Sequence, residues 1–502
     1  MTIQPLRLAT ASLCLAALSI ACASASSTVI VDALIVDGTG APPHRGAVRI
    51  VDDRIAAVGE IEPQPGDTIV EAHGLALAPG FIDTHSHHDG GLFEEPDAGA
   101  AVSQGITTIV VGQDGSSELP LAPFLRRLER ERVAVNVATY VGHGTVRAAV
   151  MGDDFRRAAT AGEVAKMRAL VADSMRAGAL GLSTGLEYDP GIYSTRDEVI
   201  ALAAEAGRFG GRYISHIRSE DRDLWDALEE VIEIGRINHM PVQVSHMKLA
   251  MVDWWGQADR MLALLDRARA AGVDITGDVY PYEYWHSTMT VLFPKRDFDS
   301  RESAEFALRS LVPPRDLIVS GFSADPSIAG QTLEQIAAAR GTDPATTLMQ
   351  LIAQTQAAGG EANVIARSMD PGDVAKLVAW PHSNICTDGL LEGTHPRGAG
   401  AFTRVLRYYV RERGVLTLAE AVRKMTSASA AHVGIRDRGV IRAGAYADLV
   451  MFDPAQVTDR ATLEAPHARS TGVETVWVNG GIVFTHGQPT GAHPGRPIRR
   501  TP

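Results

Sequence analysis

The sequence predicts an α/β fold: a (β/α)8 TIM barrel carrying a small β-sandwich. Three observations predict it. Through the middle of the chain, short apolar strands alternate with amphipathic helical stretches such as "EVAKMRALVADSMRAGA" and "DLWDALEEVIEIGRINH". Hairpin-like alternating segments occur only near the two ends. Polar residues recur at the C-terminal ends of the central strands. Strand–helix alternation implies a parallel sheet, eight such units close a barrel, and the C-terminal rim of that barrel type carries the chemistry.

Taken in order, the chain opens on a leader. Arg7 precedes "LATASLCLAALSIA", an apolar run too short to span a bilayer, and then "ACASASS". This is a signal-peptide pattern over residues 1–25, with A-x-A cleavage sites at Ala21-Cys22-Ala23 or Ala23-Ser24-Ala25. "SIAC" is also an imperfect lipoprotein pattern, with Ser at the position where Leu is preferred; cleavage there would leave a lipid anchor on Cys22. Export to the bacterial periplasm is the expectation. No later segment reads as a membrane span. Of three cysteines, Cys14, Cys22 and Cys386, at most one survives cleavage at either A-x-A site, so no disulfide is expected.

Residues 26–79 hold alternating runs with turn residues, "TVIVDALIVDGTG", "GAVRIVDDRIAAVG" and "DTIVEAHGLALAPG". Residues 435–495 hold similar material, "GVIRAGAYADLVMFDP" and "VETVWVNGGIVFTHG". Between them, residues 80–434 supply eight candidate strands: "GFIDTHSHHD", "ITTIVVGQDG", "VAVNVATYVGHG", "ALGLSTGL", "RYISHIRSE", "VQVSHMK", "VDITGDVYPY" and "SNICTDG". The stretch 294–380, between strands seven and eight, is too long for one crossover and reads as an insertion over the barrel mouth. The chain of 502 residues, 45% hydrophobic and 21% charged, is long enough for both parts, and a net charge of −13 argues against a nucleic-acid partner.

"FIDTHSHHDG" places three histidines at the end of strand one. His85 and His87 are two apart, so on a strand they point to the same side and reach one ion; His88 faces the other way. A lone histidine at a strand end is usually a satisfied polar residue. Here His216 ends strand five, His246 ends strand six and Asp388 ends strand eight. Four histidines and an aspartate converging on one rim point to a metal site.

"APGFIDTHSHHD", the separate strand-end histidines, "TDG" and "GVIRAGAYADLVMFD" together resemble the amidohydrolase superfamily, over nearly the whole mature chain. "GLSTGLEYDPGIYS", "VGHGTVR", "SHMK", "YPY" and "HPRGAGAFTRVL" resemble the D-aminoacylases, the N-acyl-D-amino-acid deacylases. The resemblance implies that the two chain ends pair as one β-sandwich, that one or two Zn²⁺ ions are bound, and that the reaction is hydrolysis of an N-acyl-D-amino acid. It departs at "VGQDG", where D-aminoacylases carry a metal-ligating cysteine and this chain has Asp114. A carboxylate also binds or bridges Zn²⁺, as a harder ligand than thiolate. Strand four has no lysine to be carboxylated, which disfavours the hydantoinase and dihydroorotase type; Glu187 is a substitute bridge.

On this reading Asp114, His216 and His246 surround the tighter ion, and His85, His87 and Asp388 an adjacent one. Asp388 is the general base and then the acid. Lys248, two residues after His246, with Tyr282 and Arg397, binds the α-carboxylate. Tyr193 lines the acyl or side-chain pocket, or else packs in the core. The alternatives are a dipeptidase or cyclic-amide hydrolase of the same superfamily, and a non-catalytic exported metal-binding protein. Side-chain preference and oligomeric state are left open.

Overall fold

The computed structural model describes residues 27–500; the segment read as a leader, with Cys22, lies outside them. Eight parallel strands follow one another as the alternation requires: Phe81–Asp83, Ile106–Val111, Asn136–Thr139 continued by Val141–Gly142, Gly181–Gly185, Arg212–His216, Val242–Val244, Ile275–Val279 and Ser383–Ile385. Neighbours pair in that order. Strand eight returns to strand one, where Asp388 N donates to His85 O at 2.8 Å and Asn384 Nδ2 donates to Thr84 Oγ1 at 2.9 Å. The ring is therefore closed, and the ends of all eight strands share one rim.

The surrounding helices carry their own start and stop signals. Ala161–Ala177 begins at a reciprocal cap between Thr160 and Glu163 and ends at Gly178 in the left-handed region. Leu224–Asn238 buries Leu224, Leu228, Val231 and Ile234 on one face. Each aliphatic side chain so buried contributes about 1.5–3 kcal/mol.

The chain ends interleave. Leu449–Phe452 runs antiparallel to Ala76–Pro79 and joins segments from both termini into one nine-stranded sheet. In strand order Val473–Val478 and Arg54–Gly59 are far apart, yet Trp477 and Ile55 share a core with Ile30, Ile35, Leu77 and Leu449. The sheet thus curls on itself to enclose an interior, which is the form the expected sandwich takes. It is tied to the barrel through buried Asp448, which pairs with Arg438 and accepts from Asn136 Nδ2 of strand three. Residues 495–498 extend this link, with Val137 N donating to Arg496 O and Ile498 N to Val137 O.

The insertion differs from expectation in extent and content. It contains a three-stranded antiparallel sheet, Tyr284–Thr288, Ala362–Arg367 and Leu317–Phe322, with the middle range of that list at its centre. It therefore begins ten residues before 294, and its helices Leu333–Arg340 and Pro344–Ala358 pack beside that sheet. Pro371–Ala379, at the far end of the expected range, is the crossover helix preceding strand eight and belongs to the barrel wall.

Candidate metal centre

Three of the rim residues leave their strands through left-handed backbone: Asp114 at φ 51°, His246 at φ 33° and Asp388 at φ 47°. Aspartate tolerates this region; a histidine there is strained and must be held by its surroundings. His246 N donates to Asp278 Oδ1 at 2.5 Å, which supplies part of that hold. The turns aim the three side chains inward, over the centre of the barrel.

There they meet. His85 Nε2 lies 3.4 Å from Asp114 Oδ1 and 3.5 Å from Asp388 Oδ1. His87 Nε2 lies 3.3 Å from Asp114 Oδ2 and 3.4 Å from Asp388 Oδ1. His246 Nε2 is 3.5 Å from Asp114 Oδ1. His85, Asp114, His246 and Asp388 offer ligand atoms all within 4.8 Å of one another. Both ring nitrogens of His85 and Asp114 Oδ1 are buried without a hydrogen-bond partner. Imidazole nitrogens and carboxylate oxygens facing each other unbonded in a dry site are costly. A divalent cation satisfies His85 Nε2 and the facing carboxylate oxygens at once, while His85 Nδ1 faces Asp278 behind the cluster, so the donor set fits Zn²⁺.

Asp114 is the hub. Its Oδ1 faces His85 and His246 while its Oδ2 faces His87. His216 stands to one side, with Nδ1 3.0 Å from His246 Nε2 and Nε2 3.0 Å from Glu187 Oε2. His216, Glu220 and His246 form a second cluster of possible ligands. Lys248 Nζ occupies its edge, 2.7 and 2.8 Å from the Glu220 oxygens and 2.8 Å from His246 Nδ1. Its contacts leave His246 Nε2 as the atom turned toward Asp114.

The cluster opens into a cavity of about 570 Å³, lined by His87, Asp114, His216, His246, Lys248, Asp388 and Arg397 among others. Arg397 Nη1 donates to Asp388 Oδ2 at 2.6 Å. The loop between them is drawn tight at Gly389, where an added Cβ would stand 2.4 Å from Gly398 Cα. Only glycine allows that approach.

The place of Tyr282 is corrected, and of the two alternatives for Tyr193 the packed one holds. Tyr282 does not line the cavity: it is buried, and its hydroxyl points to Pro396 O at 3.5 Å. Tyr280 lines it instead, its ring centroid 4.8 Å from Arg397 Cζ and 5.8 Å from Lys248 Nζ. The strand ends at Val279, so the alternation that would put both tyrosines on one side has lapsed. Tyr193 is also outside the cavity, its ring 5.8 Å from Phe155. Tyr188 takes that wall, with its hydroxyl 3.3 Å from His216 Nδ1.

Burial works against the charges of Asp388, Glu220, His87 and His85, and their neighbours outweigh it. Arg397, then His246 and His85, hold the Asp388 carboxyl well below the ordinary carboxylate range. Lys248 and then the histidines do the same for Glu220. Hydrogen bonds to Asp114 and Asp388 raise His87 to about 9, and Asp114 and Asp278 raise His85 well above the usual imidazole value. Below about pH 9 a metal must displace these protons. Apparent Zn²⁺ affinity should therefore rise with pH from 6 to 9, as read by competition with a fluorescent chelator; a flat profile would contradict it.

Asp278 was not singled out by sequence. Fully buried, it stands behind the cluster with Oδ2 3.7 Å from His85 Nδ1 and accepts from Gln243 Nε2 at 2.5 Å and Cys386 Sγ at 3.1 Å. A carboxylate behind a ligating imidazole fixes its ring and tautomer. Asp278→Asn should weaken Zn²⁺ binding by about 10–100-fold in a chelator titration; unchanged affinity would remove it from this role.

Residues 68–344 and 393–484 match the amidohydrolase family. An N-acyl-D-glutamate deacylase of Alcaligenes xylosoxydans xylosoxydans is 38% identical, over 94% of this chain and 96% of that protein. A D-aminoacylase of the same organism is 37% identical, over 93% and 96%. The crystal structure of N-acyl-D-glutamate deacylase from Bordetella bronchiseptica, complexed with zinc and a phosphonate inhibitor that mimics the tetrahedral intermediate, superposes with a TM-score of 0.85. It is 36% identical and covers 94% of this chain and 99% of its own.

Proposed function

The chain belongs to the amidohydrolase family, and on that premise we propose that it is a zinc-dependent hydrolase of N-acyl-D-amino acids, releasing a carboxylic acid and a free D-amino acid. The observation that carries the reading is the juxtaposition, in one cavity, of an unsatisfied His/Asp cluster and two buried cations, Lys248 and Arg397. A cyclic amide without a carboxylate, such as a hydantoin, would leave those two cations without a substrate partner.

Asp114, His216 and His246, which converge on His246 Nε2, would hold one metal ion, and His85, His87 and Asp388, facing Asp114 from the other side, would hold it with them or hold an adjacent one. A bound Zn²⁺ supplies a Lewis acid for the scissile carbonyl and brings the pKa of a bound water from 15.7 to about 7. The remaining steps belong to side chains. Asp388 is fixed through Oδ2 by Arg397, which leaves Oδ1 facing the histidines. It takes a proton from the attacking water and delivers it to the amide nitrogen as that bond breaks. A non-catalytic metal-binding protein would have no use for such a group. Lys248 and Arg397 orient the α-carboxylate, the planar fork of the arginine matching two oxygens. Tyr280, between them, is positioned to donate its otherwise unpartnered hydroxyl. The D preference is drawn from the named activities of the relatives.

The test is a panel of N-acetyl-D- and N-acetyl-L-amino acids with the purified, zinc-loaded protein. Hydrolysis of the D series supports the reading; hydrolysis of only the L series overturns the stereochemical part. Export to the periplasm belongs to the same proposal and is supported by the leader composition of residues 1–25 alone. Cell fractionation that finds the full-length protein in the cytoplasm would refute it.

A further inference from the structure

The relatives differ in the amino acid they are named for, D-glutamate in one case and D-amino acids generally in another. The cavity wall of this chain discriminates between such substrates. From its charge inventory we infer that the amino acid released here carries a neutral, apolar side chain and that acidic side chains are rejected. The inference rests on the reading of the site as an N-acyl-D-amino-acid hydrolase and narrows it.

An N-acyl diacid presents two carboxylates and needs a cationic partner for each. Among the described residues, Lys248 and Arg397 are the only lysine and arginine lining the cavity. Both already face protein carboxylates, Glu220 and Asp388, and both are needed for the α-carboxylate. A further cation, Arg296, braces the wall from behind. Four of its five N–H groups are engaged: Nε on Asp189 at 3.1 Å, Nη1 on Thr290 O and Phe293 O at 3.1 Å each, and Nη2 on Glu187 O. The two histidines remote from the metal cluster do not substitute. Burial lowers His286 to about 4, and burial with Arg397 holds His395 well below the imidazole range, so both are neutral near pH 7.

What the wall offers instead is of two kinds. One part is acidic, with Glu187, Asp189 and Asp221 beside the cluster. The other is the apolar face that the insertion brings down, Trp285, Val291, Leu292 and Leu311. A second substrate carboxylate would meet like charge on the first and lose its hydration without a partner on the second, and both are strongly disfavoured. An aliphatic or thioether side chain gains by burial on the second. The acyl group and the side chain share this space, and neither position has a free cation.

The experiment compares kcat/KM of the zinc-loaded protein for N-acetyl-D-leucine and N-acetyl-D-methionine with that for N-acetyl-D-glutamate and N-acetyl-D-aspartate, at one pH and ionic strength. The expected result is a preference of at least about a hundredfold for the neutral pair, the scale on which leaving a charged group unpaired in a binding site discriminates. Equal or faster hydrolysis of either acidic substrate overturns the inference and leaves the hydrolase reading standing. Hydrolysis of none of the four overturns the hydrolase reading and the inference with it.

Discussion

Asp388→Ala is expected to lower kcat for N-acetyl-D-amino acids by about a thousandfold or more. General acid–base groups contribute about 10²–10⁴-fold, and Asp388 is also one of the four residues whose ligand atoms lie within 4.8 Å of one another. The two losses separate by measurement. Metal content by elemental analysis reports the ligand role; kcat in saturating zinc reports the proton-transfer role. The variant also leaves Arg397 buried without its carboxylate, and breaking a buried pair from one side costs about 3–5 kcal/mol. A lowered Tm should therefore accompany the lost rate. Substituting Arg397→Met in the same background removes the stranded charge and should recover Tm but not kcat. Wild-type turnover by Asp388→Ala would end its assignment as the proton carrier.

His246→Ala is expected to have an effect of similar size by a different route. His246 belongs to both candidate ligand groups, its Nε2 3.5 Å from Asp114 and 3.0 Å from His216. Its other nitrogen holds Lys248 and Glu220 in place. Removing it takes a ligand from the metal and loosens one half of the carboxylate clamp together. Lewis-acid stabilisation is worth several kcal/mol, and about 4 kcal/mol corresponds to a thousandfold in rate. KM should rise as well, which separates this variant from Asp388→Ala. Retention of full zinc content and an unchanged KM would place His246 outside the centre.

The eight strands and their order were legible because each is an apolar run bounded by turns, and because the order of parallel strands in a barrel follows the chain. The rim histidines were legible because each stands at a strand end, where polar side chains must otherwise find a bonding partner. Three features were not. Tyr280 and Tyr282 could not be told apart, since period-two parity holds only while the strand does, and it stops at Val279. Asp278 lies inside an apolar strand, and nothing local marks it as the carboxylate behind His85. The insertion sheet was hidden because its first strand, Tyr284–Thr288, is largely half-buried and polar and pairs with residues about eighty positions later. Each of these depends on partners distant in sequence.

The seam between Ala76–Pro79 and Leu449–Phe452 constrains how the protein is made. During synthesis the early strand waits for a neighbour encoded roughly 370 residues later, which at 5–20 residues per second is about 20–70 s. Throughout that interval its outer row of amides and carbonyls is bare, an invitation to foreign strands. Completion of the terminal sheet is thus bound to the last part of the chain to emerge, and a message truncated before residue 449 yields a polypeptide with a sticky edge beside the barrel.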